Sequence, residues 1–220
     1  MILIGVIAYL LGIFPTAYLV ARSIGGRDIR QVGSGNIGAM NTYRLIRDEK
    51  SRNQAILGFS LVAIGDIGKG ALAILVARWL DYLGYDLTMA LVVSSLFVIL
   101  GHNYSVLFRF RMGGRGIASL IGILLALESK LFGVWALTIF LTIFFAELVM
   151  SQKLIRDKTR WFAIIGSQLL GRVVGIGLSL IPIYFIEPAL FLPVLVATIL
   201  ILVKHIDRLK AYIRGLDTAE

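Results

Sequence analysis

The sequence predicts an all-α integral membrane protein: one polytopic domain over residues 1–220, about seven transmembrane helices, the N-terminus outside and the C-terminus in the cytoplasm. Three observations carry this. Hydrophobic residues make up 58% of the chain and mean hydropathy is +0.88, well above the roughly half-apolar composition of soluble domains. Charged residues are only 16% and fall between apolar runs, so the short alternating segments of a membrane barrel are missing. Basic residues are also spread unevenly over successive connections, which sets orientation.

A helix crosses the hydrocarbon core in about 20 apolar residues. Such runs are read at roughly 2–21, 55–79, 87–107, 117–128, 131–150, 161–185 and 189–203. No Lys or Arg precedes the first run; without the basic start of a secretory signal, it is expected to be a retained span. The second holds Asp66 and Lys69, three residues apart and therefore on one helix face. Ionisable groups at membrane depth are costly and turn to a cavity or a partner. A structural ion pair and a functional site both fit the spacing. Gly65, Gly68 and Gly70 beside them permit close helix packing or a kink. The third run ends at Gly101-His102-Asn103. The fourth is short and glycine-containing, which suits a half-span or a bend shared with the fifth. Arg172 in the sixth is placed to bind an anion or pair with Glu147, and Lys204, His205 and Arg208 end the seventh.

Lys and Arg number seven in 22–54, three in 108–116, four in 151–160 and four after 203, eighteen of the 22 in all. The opposite connections hold only Arg78 and Lys130. That bias places 22–54, 101–116, 151–160 and 204–220 on the cytoplasmic face. It also accounts for the net charge of +9 without a nucleic-acid partner. With no cysteine and two histidines, His102 and His205, disulfide, thiolate and histidine-rich metal chemistry are not expected.

The stretch from Gly33 to Asn41 is the richest in chemistry. It spells Gly-x-Gly-x-x-Gly, but a membrane helix precedes it instead of a strand, so the dinucleotide reading fails. Its glycines still allow backbone N–H groups to approach an anion, Ser34, Asn36 and Asn41 add polar side chains, and Arg44 follows with a fixed charge. A polar turn with no ligand would use the same residue types. Gly113-Gly114-Arg115-Gly116 ahead of a helix start is a second candidate anion cradle.

Together these residues resemble the bacterial acyl-phosphate:glycerol-3-phosphate acyltransferase family, the PlsY type. The resemblance is carried by Leu11-Gly12 with Pro15, by Asp28-Ile29-Arg30 through the Gly33–Asn41 run to Arg44, by Asp66 with Lys69-Gly70, by Gly101-His102-Asn103 and by Gly113-Gly114-Arg115-Gly116. It implies transfer of a fatty acyl chain from acyl phosphate to glycerol 3-phosphate, forming lysophosphatidic acid in phospholipid biosynthesis at a bacterial cytoplasmic membrane. Ser34, Asn36, Arg44, Lys69 and His102 are then the expected catalytic residues. Substrate phosphate falls to Ser34, Gly35, Asn36, Gly38, Asn41, Arg44, Gly113, Gly114, Arg115, Gly116 and His205. The implied partners are acyl phosphate, glycerol 3-phosphate, membrane lipid and the soluble enzyme that makes the acyl phosphate, with no cofactor or metal.

Acyl phosphate is a mixed anhydride with a good leaving group, so the enzyme needs mainly to align two substrates and hold two phosphates. The proton acceptor is His102, Asp66 or a substrate phosphate, and the last is favoured. The chain departs from the family pattern at Met40, Met112, Arg115, Ala163, Leu202 and His205. A paralogue that binds phosphorylated solute or phospholipid without catalysis, or with altered specificity, is the alternative, ahead of an organic-phosphate transporter.

Overall fold

The computed structural model describes residues 1–82, 84–110, 113–150 and 168–214. Arg111, Met112, the connection 151–160, Ala163 and the start of the predicted sixth span lie outside them. Among the described residues the chain forms helices and turns without a strand.

The first span is two helices, α1 (Ile2–Ile13) and α2 (Thr16–Gly25). Pro15 has no N–H to continue the ladder, and the chain breaks at Phe14-Pro15. Gly26, at φ 73°, stops α2 with a left-handed cap. A single 3-10 turn, Ile29–Gln31, follows, capped by Asp28, whose carboxylate accepts from the Arg30 amide. Helix α3 (Ala39–Glu49) buries Asn41, Thr42, Leu45 and Ile46 along one side. The predicted 22–54 connection is thus largely helical.

Helix α4 (Arg52–Asp81) starts at Ser51, whose hydroxyl accepts from the Gln54 amide. At 30 residues it is about 45 Å long and exceeds the roughly 30 Å hydrocarbon core. Helix α5 is Leu87–Asn103, capped by Asp86. Helix α6 (Ile117–Leu127) has 11 residues, about 16 Å, too short to cross alone. It lies against α4 with backbones nearly touching: a Cβ on Gly70 would sit 2.0 Å from the Ser119 carbonyl, and one on Gly122 1.9 Å from that of Ile67. Small residues at membrane helix contacts serve this approach. Glu128 is extended and turns the chain into α7 (Ser129–Met150). Helices α8 (Leu169–Leu178), α9 (Leu180–Ile186) and α10 (Phe191–Ile213) complete the described chain.

Among the described residues, six helical segments are long and apolar enough to cross a membrane, and α6 is a shorter apolar helix beside them. Each of the seven predicted runs coincides with helix over most of its described residues. Their ends differ where helices outrun hydropathy: the first continues to Gly25, and α10 carries Lys204, His205 and Arg208 on helix rather than in a tail.

One core cluster, including Ile74, Ile99, Leu120, Ile123, Ile176 and Val194, joins α4, α5, α6, α8 and α10. A second, including Ala17, Ile29, Ile37, Leu45 and Val62, lies beneath α2 and α3. Exposed Ile64, Leu72, Leu75 and Phe185 are what a lipid-facing surface requires. At the end of the bundle where Arg22, Arg30 and Arg44 lie, the two polar loops meet directly: the Ile37 amide donates to the Gly113 carbonyl at 3.4 Å.

Candidate active site

The loop before α3 turns through Gly33 and Gly35, at φ 57° and 66°, a region that costs other residues roughly 1–2 kcal/mol. Asn41 holds the turn from inside. Its side chain is 2% exposed, and its Nδ2 lies 3.0 Å from the Val32 carbonyl, 3.1 Å from that of Asn36 and 3.4 Å from that of Ile29. The amide predicted to donate to phosphate is thus engaged with the loop's own backbone. Buried carbonyls require such partners, so the shape of the loop depends on Asn41. Ser34 is exposed near the tip, Gly35, Asn36 and Gly38 are half-buried, and Arg44 is half-buried one turn beyond Asn41 on α3.

The loop is clamped at its base. Arg30 makes a bidentate pair with Asp28, at 2.5 and 2.9 Å. Its guanidinium carbon stands 5.3 Å from the Tyr18 ring centre and 5.5 Å from that of Phe108, within cation–π range. The Arg30 guanidinium holds the Asp28 carboxyl down to about 2; Asp28 in turn raises Arg30 above its ordinary value. This pair ties the first polar loop to the 3-10 turn Val106–Phe108 of the second.

In the second loop the Gly114 amide donates to the His102 carbonyl at 3.0 Å. A Cβ on Gly114 would fall 1.9 Å from His102 Nε2, so the glycine is needed for the ring to lie flat against the backbone. Gly116, at φ 81°, opens α6 as the Gly-Gly-Arg-Gly pattern predicts, with Arg115 half-buried before it. The end of α5 is tied across to α10: Asn103 Nδ2 donates to the Leu200 carbonyl at 3.3 Å, and Lys204 Nζ lies 4.4 Å from the Tyr104 ring centre. His205 is buried, and its Nδ1 donates to the Ile201 carbonyl at 2.8 Å, leaving Nε2 as an acceptor.

Between these loops and the break in the first span lies a narrow polar cleft, lined by Pro15, Thr16, Ile37, Asp66, Lys69, His102, Gly113 and Gly114 among others. Asp66 and Lys69 pair at 2.9 Å, as their spacing predicts, with side chains only 5% and 7% exposed. Lys69 also donates to the Phe14 carbonyl at 3.4 Å. An ammonium has three N–H donors, so one remains for the cleft. His102 Nδ1 is 3.9 Å from the Asp66 carboxylate, beyond hydrogen-bond distance. Of the predicted site residues, Lys69, His102, Gly113 and Gly114 line this cleft, and the Gly33–Asn41 loop reaches it through Ile37. Ser34, Asn36, Arg44, Arg115, Gly116 and His205 lie outside its lining.

Sequence reasoning missed Thr16 and the Phe14 carbonyl. Thr16 Oγ1 is buried without a hydrogen-bond partner among the described residues, and the carbonyl is reached by Lys69 at the point where the helix breaks. The available signal was Pro15 inside an apolar run. Among the described residues, no three His, Asp or Glu side chains group as a metal site would need.

Comparison with known proteins points one way. The sequence model of a family described as glycerol-3-phosphate acyltransferase matches residues 2–215. A glycerol-3-phosphate acyltransferase of Clostridioides difficile is 31% identical over 98% of this chain and 93% of its own length. One from Syntrophotalea carbinolica is 32% identical over 94% and 91%. The crystal structure of PlsY, an integral membrane glycerol 3-phosphate acyltransferase, in its glycerol 3-phosphate form, shares the fold with a TM-score of 0.70 at 24% identity, covering 100% of this chain and 94% of that one.

Proposed function

The chain belongs to the glycerol-3-phosphate acyltransferase family, PlsY type, and from that membership we infer that it acylates glycerol 3-phosphate to lysophosphatidic acid, a step of phospholipid biosynthesis. The donor we assign is an acyl phosphate, the place of reaction the cytoplasmic face of a bacterial cell membrane, and the supplier of donor a soluble acyl-phosphate-producing enzyme. The observation that carries this reading is the family match over nearly the whole chain, joined to a polar cleft at membrane depth that holds a lysine with an N–H to spare. A purely binding descendant is not favoured.

The chemistry asks little of the protein beyond placement. A glycerol hydroxyl oxygen bonds to the acyl carbon, the acyl carbon–oxygen bond to phosphate breaks, and the hydroxyl proton passes to the departing phosphate. Holding both reactants in line removes most of the entropic barrier, and cationic donors aimed at the phosphate stabilise the charge that grows on it. Lys69 is suited to this task, with Asp66 and the Phe14 carbonyl fixing its ammonium and the Gly113–Gly114 backbone opposite. Ser34 and Asn36 on the first loop and Arg44 on α3 are assigned to the acceptor's phosphate. Arg115, with Gly116 at the start of α6, and His205 on α10 are assigned to a second phosphate contact. His102, without a close carboxylate partner, is assigned to shaping the cleft against Gly114.

The test is turnover of the purified protein with radiolabelled glycerol 3-phosphate and either palmitoyl phosphate or palmitoyl-CoA. Lysophosphatidic acid from the acyl phosphate alone is expected. Product from the CoA ester alone would overturn the donor assignment, and no product from either would overturn the activity.

A further inference from the structure

Helix α3 packs on the start of α4 after the chain doubles back through Lys50 and Ser51, with Thr42 and Ile46 closing on Gly58. Beside that seam an apolar groove stays open, lined by Met40 and Tyr43 of α3 and by Ile56 and Phe59 of α4. Met40, Ile56 and Phe59 are exposed. Each wall continues into an arginine. Met40, Tyr43 and Arg47 recur at helical spacing on α3, as do Arg52, Ile56 and Phe59 on α4, so each arginine shares the face of its wall. The groove is therefore apolar along its length and basic at the end nearest the Lys50-Ser51 turn. Its depth is set by the length of α4. Counted back from Asp81, a hydrocarbon core of about 30 Å takes up about 20 residues and ends near Leu61. The stretch from Arg52 to Phe59 then stands at head-group level.

We propose that this groove binds one phospholipid of net negative charge, with its phosphate between Arg47 and Arg52 and the upper part of a chain along Met40 and Phe59. The charges around the groove select this occupant. Arg47 pairs with Asp48 at 2.9 Å, but both side chains are more than half exposed, and such a pair contributes little in water. Glu49 is engaged by Arg27 at 2.6 Å. Lys50 and Arg52 have no acidic partner among the described residues. A zwitterionic lipid carries its own cation beside the phosphate and gains less from these residues, whereas each basic side chain near the surface adds affinity for anionic lipid. A soluble anion would use the arginines and leave the exposed Met40, Ile56 and Phe59 uncovered. An apolar face flanked by basic residues suits a ligand that is hydrocarbon at one end and anionic at the other. Met40 is one of the positions where the chain departs from the family pattern, so one wall of the groove is particular to this chain. The four lining residues are all absent from the wall of the polar cleft, which makes this a separate site.

The experiment is native mass spectrometry of the full chain in detergent, offered equal amounts of phosphatidylglycerol and phosphatidylcholine with identical chains. Wild type is compared with Arg47→Gln/Arg52→Gln, with Met40→Ser, and with Lys210→Gln/Arg214→Gln. The last pair removes two exposed charges at the end of α10, away from the groove lining. Wild type is expected to retain phosphatidylglycerol about tenfold over phosphatidylcholine. Arg47→Gln/Arg52→Gln should bring the two lipids near parity with Tm held, since both arginines are exposed. Met40→Ser should lower retention of both lipids severalfold and keep the preference, and Lys210→Gln/Arg214→Gln should match wild type. Parity in wild type would mean that the groove holds only bulk lipid. An undiminished preference in Arg47→Gln/Arg52→Gln, or an equal loss in Lys210→Gln/Arg214→Gln, would place the selecting charge elsewhere. Unchanged retention in Met40→Ser would take the chain out of the groove. Displacement of the lipid by glycerophosphoglycerol, the same head group without chains, at equal concentration would make this a site for a soluble anion. Each of these four results overturns the assignment.

Discussion

Replacing Lys69 with methionine separates a catalytic cation from a structural one. The substitution keeps the length of the side chain and removes the ammonium that Asp66 meets at 2.9 Å in a site where the carboxylate is 5% exposed. The remaining neighbour, His102, is 3.9 Å away and cannot replace that bond. Truncating one partner of a buried pair costs about 3–5 kcal/mol, a large share of a typical stability of about 5–15 kcal/mol; for a chain of this size that lowers Tm by roughly 10 °C. The second variant, Asp66→Asn with Lys69→Met, leaves no uncompensated charge and is expected to regain most of the lost Tm. Turnover answers differently. A charge-assisted bond to phosphate contributes about 1.5–3 kcal/mol, so both variants should lose roughly ten- to a hundredfold in kcat/KM when assayed well below their Tm. Unfolding followed by tryptophan fluorescence in detergent, run beside the radiolabel assay, reads both quantities. If the double variant regains turnover along with stability, Lys69 only neutralises Asp66 and the catalytic assignment is wrong. If Lys69→Met loses no stability, the buried pair is not what holds the cleft together.

Arg44→Ala removes the fixed charge midway along α3 and is expected to cut kcat/KM with glycerol 3-phosphate by about one to two decades; an unaffected rate would exclude Arg44 from substrate contact. Gly114→Ala places a methyl 1.9 Å from His102 Nε2, and overpacking of this kind costs about 1–3 kcal/mol, so Tm and turnover should fall together. Asp28→Asn tests the clamp by pH. The carboxyl stands near 2 when folded against an ordinary 3.8, so its contribution is complete above about pH 3.8 and fades as pH falls through about 2. The shift corresponds to at most about 2 kcal/mol, reduced toward 1 because Arg30 is about a third exposed. Wild type should be the more stable at pH 7, and the difference between the two proteins should shrink as the pH is taken down from 4 toward 2.

What the sequence disclosed was local, and what it concealed was long-range. Asp66 and Lys69 were readable as a pair because a helix brings residues three apart onto one face. Gly113 to Gly116 were readable as a helix approach because glycine before an apolar run is itself the signal. The shortness of α6 was visible in the length of its apolar run. Helix α3 was not, since its inward face is made by Asn41 and Thr42 as well as Leu45 and Ile46, and polar residues carry no hydrophobic period. Asn41 shows why residue type alone misassigns a site. A free amide beside glycines suits an anion, yet the same donor satisfies buried carbonyls in a tight turn, and only the folded loop shows that it does the latter. Lys69 shows the reverse. Its meaning depends on the Phe14 carbonyl, 55 residues away in sequence, which stands at the break beside Pro15 and also accepts from the Thr16 amide. A proline in an apolar run predicts a break but not what will occupy it. A buried ammonium has to satisfy its donors, and a helix end leaves carbonyls unpaired. When a chain of this kind carries both inside a membrane, the interruption and the charge are to be sought in one place.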